Sequence, residues 1–137
     1  MIIDLSNIPE DFQTRKTNLI KQVDAQVDAI MRDCIGERAT EYQRAETQAR
    51  AYKAAGYTGT APTTVRVWAE TKAWTNRQAA DDIIAQADAW VTAQDAIREN
   101  RLKTKEALRV AANDAQLAAA QTAWGGFVSY IRNALGV

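Results

Sequence analysis

TNRQAADDIIAQADAWVTAQDAIRENRLKTKEALRV, residues 75–110, is the stretch that decides the fold. Ile83, Ile84, Ala87, Trp90, Val91, Ile97, Leu102 and Leu108 recur along it at spacings that build one broad apolar stripe on a helix. Thr75 followed three residues on by Gln78 is the pattern of a capping box, in which each side chain satisfies a backbone N–H of the other. Acids gather early, at Asp81, Asp82, Asp88 and Asp95, and bases late, at Arg98, Arg101, Lys103, Lys105 and Arg109. Both ends therefore complement the helix dipole. The pattern predicts a helix over 76–112. Roughly 35 residues at ~1.5 Å each make a rod of about 50 Å. That is longer than a compact domain of this size requires.

On the N-terminal side lies the only clear loop, Gly56-Tyr57-Thr58-Gly59-Thr60-Ala61-Pro62, predicted over 56–62. A short helix over 63–73 follows it, with Thr63 or Thr64 as the cap and Val65, Trp68 and Ala69 on its course. Before the loop, residues 9–55 read as one long helix or as two helices broken near Gly36. Pro9 suits a first turn, and Glu10 and Asp11 sit at the positive end of the dipole. Phe12, Leu19, Val23, Val27 or Ile30, Met31 and Cys34 keep helical spacing, and Tyr42, Ala45, Ala49 and Tyr52 resume it. Gly56 is placed to stop that segment in the left-handed conformation. Residues 1–8 are expected to form a tail, with Ile2, Ile3 and Leu5 frayed or tucked onto a helix. Beyond the long helix, Asn113-Asp114 offers a break or a cap. A closing helix over 114–135 carries Leu117, Trp124, Phe127, Val128, Ile131 and Leu135 and stops at Gly136. Gly125-Gly126 lies inside it, as a kink or a point of close backbone approach.

Alanine supplies roughly a fifth of the chain, while glycine and proline are scarce. Alanine loses no side-chain entropy in a helix and leaves little bulk for a thick core. No alternating strand pattern appears. The expected fold is all-α, one elongated helical bundle spanning 1–137. It has two long helices, a short middle helix and a C-terminal helix, with coiled-coil-like contacts.

Charge and composition restrict function. Lys plus Arg and Asp plus Glu both total 17, so no basic excess is available for a nucleic-acid backbone. No apolar run approaches the ~20 residues that cross a bilayer. Met1-Ile2-Ile3-Asp4-Leu5 has an acid where a secretory leader needs bases, so a cytosolic protein is expected. There is no histidine, which removes the commonest general base and metal ligand. The single cysteine, Cys34, lies mid-pattern and is expected to be a buried structural thiol. Glu37 and Glu41 share a helix face but lack the Glu-x-x-His partner of a carboxylate metal site. Gly56-Tyr57-Thr58-Gly59 lacks the lysine and strand of a phosphate loop. The expectation is a non-enzyme with no cofactor and no metal.

What remains is aromatic. Trp68, Trp74, Trp90 and Trp124 either fill the space that alanine leaves between helices or anchor a partner, since tryptophan and tyrosine dominate interface hot spots. Tyr57, Trp68 and Trp74 surround the central loop, where side chains are presented rather than buried. They are the expected partner contacts, with pinning of the loop as the alternative. The basic run Arg98–Arg109 is a solvated, dipole-compensating face or a match for an acidic partner.

One block comprises Ala51-Tyr52-Lys53-Ala54-Ala55-Gly56-Tyr57-Thr58-Gly59 with Pro62, Val65, Trp68 and Ala69. A second comprises Gln78-Ala79-Ala80-Asp81-Asp82-Ile83-Ile84, Trp90, Ala96-Ile97-Arg98, Arg101-Leu102-Lys103 and Lys105. With the closing Trp124, Phe127 and Ile131-Arg132, these blocks resemble small proteins encoded beside tail-fibre genes in tailed bacteriophages and prophages. The resemblance covers roughly residues 40–135. It implies a tail-fibre assembly chaperone or fibre-associated protein, with a tail-fibre protein as partner, acting in the host bacterial cytoplasm. Many such chaperones carry a β-rich or mixed region, which this chain lacks. The alternative is a permanent structural component of the virion tail or fibre that assembles by oligomerisation, including with itself.

Overall fold

The computed structural model describes residues 11–137. The expected tail, 1–8, and the expected start at Pro9 lie outside the described residues. Among the described residues the fold is all-α. Five helices run in order: α1 Phe12–Cys34, α2 Ala39–Ala54, α3 Thr63–Lys72, α4 Asn76–Val110 and α5 Asp114–Leu135. No strand occurs among them.

The segment before the loop is two helices. Gly36 adopts φ +58°, a left-handed turn that ends α1. Asp11 is not in the first turn of α1 but caps it. Its Oδ1 accepts the Thr14 N–H at 2.7 Å, and that bond holds the carboxyl below its usual pKa. Thr75 and Gln78 form the reciprocal box at the start of α4, at 3.0 and 3.1 Å. Asn113 caps α5 by accepting the Gln116 N–H at 2.9 Å.

The start of α3 differs from expectation. Pro62 occupies the cap position and contributes no side-chain bond. Neither Thr63 nor Thr64 caps the helix. Gln48 on α2 does so, its Oε1 accepting both the N–H and the hydroxyl of Thr64, at 3.1 and 2.7 Å. A residue from the neighbouring helix thereby satisfies an orphan donor that local sequence leaves open.

The structure gathers into two compact units: one of the described residues up to Cys34 with Ala96–Val137, the other of Ile35–Asp95. Helix α4 contributes residues to both.

In the first unit, α1 and α5 run parallel and α4 runs antiparallel to both. Arg15 bonds Asp114, and Arg132 bonds Asp33 at 2.9 Å. Arg101 and Lys105 on α4 reach Asp24 on α1, at 3.4 and 2.7 Å. Lys16 Nζ donates to the carbonyls of Arg109 and Ala111, at 3.0 and 2.7 Å, closing the C-terminus of α4. The basic run is therefore not wholly solvated. The buried apolar side chains of this unit are Val23, Val27, Ile30, Ile97, Leu108, Ala111, Leu117, Trp124 and Ile131. Cys34 is half-buried rather than buried, and the desolvation it does undergo raises its thiol pKa. Helix α5 continues through Gly125-Gly126, with open space beside both.

In the second unit, α2, α3 and the first part of α4 share a thin core. Ala49 and Tyr52, Val65 and Ala69, and Ala79, Ala80 and Ile84 make it, one set from each helix. Four of the seven are alanine, so the helices meet with little side-chain bulk between them. Tyr57, Trp68 and Ile83 close its edges.

Candidate functional site

The three aromatic residues singled out in the sequence belong to the second unit, and the ends of two helices place two of them. Helix α2 ends with Gly56 N–H on the Lys53 carbonyl and Tyr57 N–H on the Tyr52 carbonyl, both at 2.9 Å. Helix α3 ends the same way, with Ala73 N–H on Glu70 and Trp74 N–H on Ala69, at 3.3 and 2.9 Å. These are Schellman motifs. Tyr57 and Trp74 occupy the same position in each, directly after the left-handed residue. That residue is Gly56 (φ +72°) in one and Ala73 (φ +56°) in the other. The motif favours an apolar contact back onto the helix. Tyr57 makes it with Tyr52, ring edge to face at 5.8 Å. Trp74 meets Trp68 on α3, at 6.3 Å and 89°.

Helix α4 supplies the polar half. Asp81 and Asp82 are adjacent, so their side chains diverge by ~100° around the helix. Asp81 accepts the Tyr57 hydroxyl, and Asp82 accepts Trp68 Nε1–H at 2.9 Å. Helix α4 has no acid in its first turn, so the pair lies beyond the reach of the dipole it was expected to complement; it ties α4 to the central loop and to α3 instead. Bonding to Asp81 pushes the Tyr57 phenol pKa above its ordinary value.

Cations line the ring faces. Lys72 Nζ lies 5.0 Å from the Trp68 ring centre and 5.8 Å from that of Trp74. Arg77 Cζ lies 4.6 Å above Tyr57. Beside them is an open cleft of about 420 Å³ lined by Trp74, Gln78, Asp81 and Asp82.

The three aromatics differ in what they offer. Tyr57 and Trp68 are half-buried and hydrogen-bonded within the unit. They pin the loop and α3 as well as bordering the cleft. Trp74 is 39 % exposed and lines the cleft directly. Trp124, in the first unit, is buried at 4 % and Trp90 is half-buried.

Sequence reading missed Asp81, Asp82, Gln78 and Lys72 as parts of this surface. Asp81 and Asp82 already had a local explanation as a dipole complement and Gln78 as part of a cap, and nothing in the pattern singled out Lys72. A usable signal was the short hairpin between α3 and α4, which carries indoles on one arm and carboxylates opposite on the other. Among the described residues no group of three or more His, Cys, Asp or Glu is placed to hold a metal ion, and no helix is long and apolar enough to cross a membrane. Comparison with protein-family models, curated proteins and solved structures returns no match.

Proposed function

We propose that this chain is a tail-fibre assembly chaperone or fibre-associated protein of a tailed bacteriophage, holding a fibre protein through the surface around Trp74. The observation that carries the proposal is a large ring fixed in position without being buried. The backbone of the α3 terminus and the edge of Trp68 hold Trp74, yet 39 % of it faces solvent beside an open cleft. A ring already ordered loses little freedom on binding, which is the economy of an interface anchor. The resemblance over residues 40–135 supplies the partner class. The mechanism is transient covering of apolar fibre surface in the host cytoplasm until the fibre has folded or trimerised.

The test is co-expression with a tail-fibre gene encoded beside this one, followed by pull-down. Wild type is expected to retain the fibre protein. Trp74→Ala is expected to lose most of it while keeping its helicity and melting temperature. Absence of capture by wild type overturns the proposal.

A permanent virion component is the second reading. It is favoured by the apolar side chains that α4 leaves exposed in the first unit, Leu102 and Val110, which would suit a lasting helical interface. Purified particles decide between the two: a chaperone is absent from them and a structural subunit is present.

A further inference from the structure

The cleft beside Trp74 combines two features that together select a cation. One is an indole corner. Trp68 and Trp74 stand perpendicular at 6.3 Å, and the chain's own Lys72 already lies against both rings. Arg77 over Tyr57 repeats the arrangement a few residues away. The other is acidic. Asp81 and Asp82 line the cleft, and among the described residues neither forms an ion pair. Asp82 accepts Trp68 Nε1–H and Gln86 Nε2–H, both on Oδ2, while Asp81 accepts the Tyr57 hydroxyl on Oδ1. Each carboxylate keeps acceptor capacity on its other oxygen.

We infer that this cleft receives an arginine side chain from a basic segment of the partner, the guanidinium stacking on Trp74 and bonding to Asp81 and Asp82, with Lys72 as the internal occupant of the indole corner. A guanidinium suits both halves, because it is planar against an indole and forked toward a carboxylate. An anion would meet two carboxylates, and apolar fibre surface lying on Trp74 with no cation at its edge would leave them desolvated without a partner. Lys72 and Arg77 are the cations facing the site, and neither forms an ion pair with either acid. The inference rests on the partner-binding reading above and adds the partner's chemistry to it.

The experiment is titration of the isotopically labelled full chain with a blocked Gly-Arg-Gly-Arg-Gly peptide, following the indole N–H signals by NMR. A peptide with glutamate in place of arginine is the control. The Trp74 signal is expected to move saturably with the arginine peptide, and the Trp124 signal to stay. The double variant Asp81→Asn, Asp82→Asn keeps an acceptor for Tyr57 and Trp68 and is expected to weaken binding about tenfold. Lys72→Ala is expected to strengthen it. Equal response to both peptides, or an unchanged response in the double variant, overturns the inference. Fibre capture is scored separately. A silent titration with fibre capture intact removes the arginine site alone. A responsive titration without capture removes the fibre reading alone.

Discussion

Trp124 on α5 donates its indole N–H to Gln26 Oε1 on α1 at 2.6 Å, across 98 positions of sequence. The ties at Arg15–Asp114 and Asp33–Arg132 each span 99. Three ties at nearly constant separation mean that α1 and α5 lie parallel in fixed register, with Trp124 as the buried one of the six residues. Replacing Trp124 with alanine is expected to cost about 3–5 kcal/mol, since a large ring leaves a cavity that alanine-rich neighbours cannot fill. Gln26→Ala is expected to cost about 1 kcal/mol. Urea unfolding of both single variants and the double variant measures the coupling. A Gln26 cost unchanged in the Trp124→Ala background would show that the bond is not what Gln26 contributes.

Ala73 takes the left-handed position that glycine fills at the ends of α2 and α5. An alanine there is strained by its Cβ, so Ala73→Gly is expected to raise stability by about 0.5–1 kcal/mol. Ala73→Val is expected to lower it and to loosen Trp74. Thermal melts give the order, and Trp74 indole exchange with solvent shows whether the ring follows.

Gln48 caps α3 from α2. Removing it in Gln48→Ala is expected to cost about 1 kcal/mol, as the loss of a conventional cap does. The signature is local: amide exchange at Thr64 accelerates, while exchange at Gln78, in the Thr75 box, stays slow.

Tyr57 gives the loop an alkaline limit. Its phenol pKa is raised in the folded state, first by the bond to Asp81 and then by desolvation. The protonated form is therefore the one the fold favours. Its contribution is fully present below the ordinary tyrosine value of 10.0 and is lost as pH rises through the higher folded value. Melting temperature is expected to fall across that interval in wild type and to fall less in Tyr57→Phe. Matching slopes in the two proteins would sink this account.

Asp24 sets an acid limit with the opposite sign. The Lys105 bond leads the effects that hold its carboxyl below the ordinary 3.8. Its contribution is present above 3.8 and disappears as pH falls through the lower folded value. Because Asp24 remains 42 % exposed, the contribution is modest, about 0.5–1 kcal/mol after solvent screening. Asp24→Asn is expected to remove that part of the acid dependence of the urea midpoint.

The helices themselves were legible in the residues. Helical spacing of Ile83, Ile84, Trp90 and Ile97, the Thr75–Gln78 box, the Asn113 cap and the Gly56 and Gly136 stops are local features that act within a turn or two. Backbone hydrogen bonding in a helix is equally local, so sequence alone carries them. Sequence also marked Tyr57, Trp68 and Trp74 as a group around one loop. Partnership across distance was not legible. Nothing near Thr64 announces that Gln48 will cap it, nothing near Asp24 names Arg101 and Lys105, and a dipole argument for Asp81 and Asp82 says nothing of Tyr57 or Trp68. Those pairings depend on which helix faces meet and in what register, which many similar alanine-rich faces could satisfy. Tertiary packing alone settles them, and it also separates the half-buried Trp68, bonded to Asp82, from the exposed Trp74, two residues that their place beside the loop treats alike.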